Sequence, residues 1–149
     1  ARRVTLSAAG VYFAAKIILD MIKNEKFSAV GGPTLGADPM VGAIGVLSYQ
    51  AGKPVNTFII RKAPKPHGKQ QQIEGPLIPE GSKVILIDDV ATTGKALAES
   101  IEVLKKYNIG VARAICLVDR EQGAREALAK HNVPFASIFK AQEFLNSKS

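Results

Sequence analysis

The sequence predicts an α/β protein: a Rossmann-like, doubly wound and mostly parallel sheet with helices on both faces. Two observations support this prediction. Apolar runs of strand length recur along the chain, and segments with apolar residues at helical spacing separate them. The runs are apolar without alternation, which is typical of parallel strands buried between two layers of helices. Since the chain has 149 residues, we expect residues 1–149 to form one domain with its own core.

The predicted elements begin near the start of the chain. The chain opens without a methionine in a basic, strand-like segment, so we expect an N-terminal part of the natural protein to be missing. Ser7 is then a suitable N-cap for a helix whose apolar residues recur at helical spacing as far as Ile22. Three segments follow: a short strand at 28–32, a Gly/Pro-rich loop at 32–39 and a helix of small residues at 40–52, ended by Gly52.

The rest of the chain repeats the alternation around one long loop. This loop, at 63–77, has no period and contains three prolines and two glycines. The helix predicted at 93–108 carries its apolar face on Leu97, Ala98, Ile101 and Leu104. The other elements are, in order, buried strands at 55–62, 83–89 and 110–119, a helix at 121–132, and a last strand at 134–141 before a short helical tail.

Polar clusters follow four of the predicted strands. They lie at 31–39, 61–68, 88–95 and 119–123. Ligands of open parallel sheets bind beyond the carboxyl ends of the strands. We therefore expect the four clusters to converge on one crevice, which is the main argument from the residues for a binding site.

The segment "DDVATTG", residues 88–94, has the layout of a phosphate site between a strand and a helix. The N-terminus of the helix offers free N–H groups and the positive end of its dipole. Thr92 and Thr93 add hydroxyl donors, and Gly94 lets the backbone approach an anion closely. The spacing matches neither a Walker A loop nor a dinucleotide-binding G-x-G-x-x-G motif.

Asp88 and Asp89 stand immediately before this phosphate segment. Such a pair could hold sugar hydroxyls, stabilise a developing positive charge, or bind Mg²⁺ through water, since magnesium typically takes one or two carboxylates plus substrate phosphates. The structural alternative is that one aspartate caps the next helix and the other is solvated. A phosphorylated sugar would use both parts of the segment.

The segment at 61–75 is predicted to be a mobile catalytic loop. It carries Arg61, Lys62, Lys65 and His67, and its prolines keep it out of helix and sheet. Such a loop could cover a leaving pyrophosphate and neutralise its charge. The alternative is a solvated loop whose charges serve solubility.

Two further segments are candidates for binding. In "GGPTLGADP", glycines 31, 32 and 36 permit backbone conformations that aim N–H groups at an anion, or else form an ordinary turn. Past the third core strand, Arg120 could meet a ligand carboxylate. Its alternative is a surface ion pair with Glu121 or Glu126.

Composition narrows the class of protein. The net charge is +7, but no nucleic-acid-binding motif appears, so we expect no nucleic-acid partner. No apolar run approaches membrane-spanning length, and no secretory signal is present, so we expect no membrane partner. The lone Cys116 is expected in the core and fits a reducing, cytoplasmic setting.

The motifs resemble a known family. "VILIDDVATTGKA" resembles the ribose-phosphate motif of the type I phosphoribosyltransferases. Within that family, the R-K-x-x-K-x-H-G loop in "FIIRKAPKPHGKQQQIEG" and the segment "VDREQG" are similar to the orotate phosphoribosyltransferases. The resemblance extends over essentially the whole chain and implies the type I phosphoribosyltransferase fold.

This resemblance implies transfer of a 5-phosphoribosyl group from phosphoribosyl pyrophosphate to orotate, with Mg²⁺, in a homodimer with shared active sites. It implies catalytic roles for Lys62, Lys65, His67, Asp88 and Asp89, and metal binding through water by the two aspartates. It implies that Arg120 and Thr92 touch orotate. It implies substrate binding by the basic residues Arg61, Lys62, Lys65 and His67, by Thr34, Leu35 and Gly36, by Asp88, Asp89, Val90, Ala91, Thr92, Thr93, Gly94, Lys95 and Ala96, and by Arg120.

The chain departs from the family pattern in two places. The N-terminal hood of the family has no counterpart in this sequence. The position of a lysine that many members carry in the pyrophosphate loop is Gly36, so that loop would act through backbone N–H groups. Two alternatives stay open: a phosphoribosyltransferase for a purine base or uracil, and a non-catalytic regulator that binds phosphoribosyl pyrophosphate.

Overall fold

The computed structural model describes residues 1–66 and 71–146. The helices are α1 Arg2–Thr5, α2 Ala8–Ile22, α3 Asp38–Gln50, α4 Lys95–Lys106, α5 Ala124–Ala129 and α6 Ala141–Asn146. The strands are β1 Val30–Pro33, β2 Thr57–Ile60, β3 Ile73–Glu74, β4 Lys83–Ala91, β5 Gly110–Asp119 and β6 Phe135–Lys140.

The six strands form one sheet in the order β3-β2-β1-β4-β5-β6. All neighbouring pairs are parallel except β2 with β3, which is antiparallel. The chain leaves β1 toward β2 on one side, and later returns to β4 on the other side. The strand order therefore reverses between β1 and β4, and this switch point is where parallel sheets form a ligand crevice.

Helices cover both faces of the sheet, which confirms the predicted fold class. Successive residues of β4 point to opposite faces, as the pleat of a strand requires. Ile85 and Ile87 pack in the layer that contains α2 and α3. Val84 and Leu86 pack in the layer that contains α4 and α5. All four side chains are fully buried, so β4 is the centre of both cores.

The start of the chain is helical, and the strand-like interpretation of it was wrong. The amides of Val4 and Thr5 both donate to the carbonyl of Ala1 at 3.0 Å, which closes the turn of α1. A strand needs a neighbour for its backbone groups, and the described sheet ends at β3 and β6. The predicted N-cap is confirmed, because the Ser7 hydroxyl accepts from the amide of Gly10 at 3.1 Å.

The predicted loop at 63–77 is interrupted by β3. Its two residues pair with β2, with Ile59 opposite Glu74 and Ile60 opposite Ile73. Two residues are too few for a period to show in the sequence. The helix predicted at 121–132 is also shorter, since α5 spans only Ala124–Ala129.

Two other expectations concern the core and membranes. Cys116 is fully buried, as predicted for a core residue, and burial raises the pKa of its thiol to about 12. Within residues 1–66 and 71–146, no helix combines the length and apolar character needed to cross a bilayer.

Candidate functional site

The acid pair lies inside β4, which extends two residues beyond the predicted strand at 83–89. The strand continues to Ala91, and both Asp88 and Asp89 are buried, at 7% and 8% exposure. The Asp89 amide donates to Oδ1 of Asp88 at 2.8 Å, and the Val90 amide donates to Oδ1 of Asp89 at 2.8 Å. Each carboxylate is thereby oriented by the backbone of its own strand, and its second oxygen is left for another partner.

The electrostatics of the pair are unfavourable without a ligand. Burial raises the pKa of Asp88 to about 7, and the neighbouring charge of Asp89 adds to the rise. The hydrogen bond from the Asp89 amide and the charge of Arg2 act in the opposite direction on this pKa. The buried negative charge therefore calls for a partner that brings positive charge or hydroxyl donors.

The first helix supplies a residue that the sequence analysis missed. Nε of Arg2 lies 3.5 Å from Oδ2 of Asp89. The side chain of Arg2 is half exposed, whereas that of Asp89 is nearly buried. The one signal was the basic character of the first residues, and no pattern in the sequence links them to the acid pair.

The loop between β1 and α3 closes over the acid pair at Gly36. A Cβ atom at this position would collide with the carboxylate oxygens of both Asp88 and Asp89. The sequence analysis gave a different reason for these glycines, namely their access to unusual backbone conformations. Among glycines 31, 32 and 36, none has a positive φ, and the first two lie within β1. Close approach of neighbouring atoms, rather than unusual backbone conformation, requires a glycine here.

The N-terminus of α4 forms one wall of a cavity of about 420 Å³. The cap residue is Gly94, which has a φ of 86° and makes no side-chain cap, so the first N–H groups of the helix are available. A Cβ on Gly94 would lie 2.9 Å from Cα of Ala124 in α5. The glycine thus serves the turn and the helix packing. The lining residues are Asp88, Val90, Ala91, Thr92, Thr93, Gly94, Lys95, Ala96, Leu97 and Glu99.

A second cavity, of about 290 Å³, connects the loop between β1 and α3 with the basic segment, residues 61–75. Thr34, Arg61, Lys62 and Ala96 are among its lining residues. The hydroxyl of Thr34 donates to Oδ2 of Asp38 at 2.9 Å, so this side chain supports the loop. The adjacent Leu35 is exposed. The predicted phosphate segment and two predicted basic residues therefore share one region of the crevice.

The remaining basic residues of the segment are placed differently. Nζ of Lys65 lies 2.8 Å from Oε1 of Glu74, and Nη1 of Arg61 lies 3.4 Å from the same oxygen. The sequence analysis did not foresee a role for Glu74. His67 lies outside the described residues.

Arg120 lines a third cavity, of about 360 Å³, together with Val4 of α1 and Val90 of β4. Its amide donates to the carbonyl of Ala91 at 2.9 Å, which ties the end of β5 to the end of β4. The alternative prediction was an ion pair with Glu121 or Glu126, and no such pair occurs in the part of the chain that the structure describes.

A magnesium ion fits the acid pair only with help from a substrate. In the described ranges, no group of three or more His, Cys, Asp or Glu side chains could hold a metal ion alone. Magnesium typically takes one or two carboxylates and completes its shell with waters and phosphate oxygens. The two buried carboxylates beside a phosphate cavity meet that requirement.

Comparisons with known proteins identify the family. Residues 4–145 match the family model for a phosphoribosyl transferase domain. An orotate phosphoribosyltransferase of Aquifex aeolicus is 38% identical over 144 residues, which covers 97% of this chain and 78% of that protein. This chain belongs to the orotate phosphoribosyltransferase family. A second family member, from Rhodopseudomonas palustris, is 37% identical over 145 residues, covering 95% of this chain and 78% of its own length.

Solved structures of orotate phosphoribosyltransferases have the same fold. The Mycobacterium tuberculosis enzyme in complex with 5-phospho-α-D-ribosyl 1-diphosphate superposes with a TM-score of 0.81 at 28% identity, covering 95% of this chain and 79% of that one. The Aeropyrum pernix enzyme gives a TM-score of 0.77 at 34% identity, covering 98% and 80%. The resemblance read from the motifs, and the enzyme class that it implied, are confirmed.

Proposed function

We propose that this protein transfers the 5-phosphoribosyl group of phosphoribosyl pyrophosphate to orotate, giving orotidine 5′-phosphate and pyrophosphate in pyrimidine synthesis. One observation carries the proposal for this chain. A helix N-terminus that can receive an anion stands beside a buried acid pair at the switch point between β1 and β4. A phosphate and a sugar on one ligand would satisfy both features.

The 5′-phosphate would bind at the N-terminus of α4. The free N–H groups of the first turn and the helix dipole favour an anion there. Thr92 and Thr93 are exposed in the lining of the same cavity, where their hydroxyls can donate to phosphate oxygens. The same role is proposed for four further lining residues, Val90, Ala91, Lys95 and Ala96.

The acid pair would hold the ribose hydroxyls. Departure of pyrophosphate leaves an oxocarbenium-like ribosyl group with positive charge on the sugar. In this arrangement Asp88 and Asp89 would face that charge, and their burial would strengthen the attraction. Arg2 would release Oδ2 of Asp89 when a sugar hydroxyl replaces it.

The pyrophosphate would lie between the loop at residues 34–36 and the basic segment. Gly36 lets the loop lie directly against the carboxylates of the acid pair, and Lys62 and Arg61 line the neighbouring cavity. Lys65 would stabilise the negative charge that grows on the leaving group. His67, outside the described residues, is proposed for the same task, and the mobility of residues 61–75 stays a prediction.

Magnesium is proposed as the cofactor. When bound, it would neutralise phosphate charge and orient the pyrophosphate, with Asp88 and Asp89 holding it through water. The base would lie near Arg120, whose guanidinium suits the carboxylate of orotate, and near Thr92. The cytoplasmic location also stays a prediction.

A panel of bases tests the function. The protein is mixed with Mg²⁺, phosphoribosyl pyrophosphate and one of orotate, uracil, adenine or hypoxanthine, and pyrophosphate release is measured. We expect release with orotate alone. Release with a different base would overturn the assignment of orotate, and binding of phosphoribosyl pyrophosphate without release for any base would favour a non-catalytic regulator.

A further inference from the structure

Glu74 is the acidic residue that forms ion pairs with the basic segment in the part of the chain that the structure describes. Its Oε1 lies 2.8 Å from Nζ of Lys65 and 3.4 Å from Nη1 of Arg61, so a single carboxylate oxygen serves two cations. The sequence from Arg61 to Gly75 contains no other acidic residue. Glu74 is therefore the one source of negative charge within this segment.

The position of Glu74 is fixed by the backbone around it. Glu74 stands opposite Ile59 in the β2–β3 pairing. One residue beyond that pairing, the amide of Arg61 donates to the carbonyl of Gln72 at 2.8 Å, and Nε2 of Gln72 donates to the carbonyl of Arg61 at 2.9 Å. The Gln72 amide also donates to the hydroxyl of Tyr107 at 3.1 Å. These bonds hold Glu74 at the edge of the sheet independently of its two ion pairs.

The two lysines at positions 62 and 65 have different surroundings: one lines a cavity and the other pairs with Glu74. Lys62 is exposed, lines the cavity shared with Thr34, and forms no ion pair within residues 1–66 and 71–146. Lys65 is engaged by Glu74 and is absent from the lining of that cavity. The pKa of the Glu74 carboxyl is lowered, chiefly by the hydrogen bond from Lys65, so the carboxylate is charged at neutral pH.

We propose that Glu74 is a positioning residue: its carboxylate competes with pyrophosphate for Lys65 and Arg61 and so moderates how tightly pyrophosphate binds. This inference rests on the proposed function. The ion pairs are well exposed, at about 40% on both sides, and pairs of that kind are weak and easily exchanged. A pyrophosphate group carries several negative charges and takes the two cations from a single carboxylate. Loss of Glu74 would therefore tighten pyrophosphate binding.

The test measures binding of inorganic pyrophosphate with Mg²⁺ by calorimetry. We expect Glu74→Gln, which keeps the shape and removes the charge, to bind pyrophosphate about 2- to 5-fold more tightly, the range that a weak exposed ion pair supports. Glu80→Gln is the matched control, because Glu80 is exposed outside the basic segment and the change in net charge is the same. Unchanged or weaker binding by Glu74→Gln would overturn the inference.

A double-mutant cycle separates this role from a general change in charge or fold. We expect Lys65→Met to weaken pyrophosphate binding, and most of the gain from Glu74→Gln to disappear in the Lys65→Met background. An equal gain in both backgrounds would contradict the competition. If the unmodified protein binds no pyrophosphate at all, the proposed function itself fails, which is a different outcome from an unchanged affinity in Glu74→Gln.

Steady-state kinetics give a second measurement. We expect Glu74→Gln to lower KM for phosphoribosyl pyrophosphate by a similar factor without raising kcat, since ground-state binding changes rather than the chemical step. A raised KM would count against the inference.

Discussion

Asp88 is proposed to bind substrate, and its burial lowers the stability of the folded protein at neutral pH. Its carboxyl is buried in β4 beside Asp89, and burial raises its pKa to about 7 from an ordinary value of 3.8. A group whose pKa is higher in the folded state favours folding below its unfolded pKa, and this contribution is lost as the pH rises through the folded value. The ligand-free protein should therefore lose stability from about pH 4 to pH 7 because of Asp88.

We predict that Asp88→Asn stabilises the ligand-free protein at pH 8. The shift from 3.8 to about 7 corresponds to a few kcal/mol, so we expect a gain of roughly 2 to 4 kcal/mol in the free energy of unfolding. At pH 3 the two proteins should differ little, because the carboxyl is protonated whether the chain is folded or not. Urea denaturation in metal-free buffer measures both values. A variant less stable than the original protein at pH 8 would contradict the assignment of the pKa.

Gly36 gives a second prediction at the scale of one residue. We expect Gly36→Ala to lower kcat/KM at least about 10-fold, because its Cβ collides with both carboxylates of the acid pair and an ångström of displacement is costly at a reacting centre. Gly42→Ala in α3 is the matched control. No atom lies within 4 Å of an added Cβ there, so kcat/KM should be unchanged. Normal activity of Gly36→Ala would show that the loop does not rest on the acid pair in solution.

At the scale of elements, α4 depends on its first residue for more than phosphate binding. Gly94 starts the helix with a positive φ and lies directly against Ala124 of α5. The helix then buries Leu97, Ile101 and Leu104, as the sequence predicted. Of the predicted apolar face only Ala98 is half-buried, and Val103 is buried in addition. Gly94 belongs to the predicted phosphate motif and is also needed for the packing of α4 against α5.

We predict that Gly94→Ala destabilises the protein by roughly 2 to 4 kcal/mol, combining backbone strain with the contact to Ala124. Gly81→Ala separates the two causes. Gly81 has a φ of 81°, close to the 86° of Gly94, and no atom lies within 4 Å of an added Cβ. We expect Gly81→Ala to cost about 1 kcal/mol from strain alone. Equal losses of thermal or urea stability in the two variants would mean that the contact with α5 contributes nothing.

At the scale of the whole molecule, the strand order assembles the crevice. The switch between β1 and β4 brings the Gly36 loop onto the acid pair, and β2 brings the basic segment to the same end of the sheet. The layer of α2 and α3 on one face leaves several large apolar side chains exposed. They are Phe13, Ile17, Val46 and Tyr49. We predict that these side chains belong to the dimer surface, because an apolar patch on a protein surface often serves as an interaction site.

We predict that the protein is a homodimer. Sedimentation should give twice the 15.9 kDa of the single chain. Phe13→Glu in α2 should shift the mass toward the monomer, because it places a charge in the exposed apolar layer. Leu77→Glu is the control, since Leu77 is 95% exposed but lies in the loop after β3. A monomeric mass for the unmodified protein at all concentrations would rule out shared active sites.

Much of the site could be predicted because its residues lie near the carboxyl ends of strands. The apolar runs of β4 and β5 located Arg120 just past one strand and the acid pair near the end of its neighbour, although β4 continues two residues further than predicted. Contacts between distant segments could not be predicted. Arg2 of α1 forms an ion pair with Asp89, and Glu74 of a two-residue strand forms one with Lys65. No periodicity or motif in the sequence predicts either pair.

The sequence by itself determined the alternation of strands and helices, the phosphate-binding turn before α4 and the family. These features depend on local order along the chain: the period of apolar residues, the backbone needs of glycine and proline, and short motifs. Only the tertiary structure decided why Gly36 must lack a side chain, which cations face the crevice, and which carboxylate holds Lys65. Those answers depend on distances between segments that the strand order brings together, and no local pattern in the chain contains them.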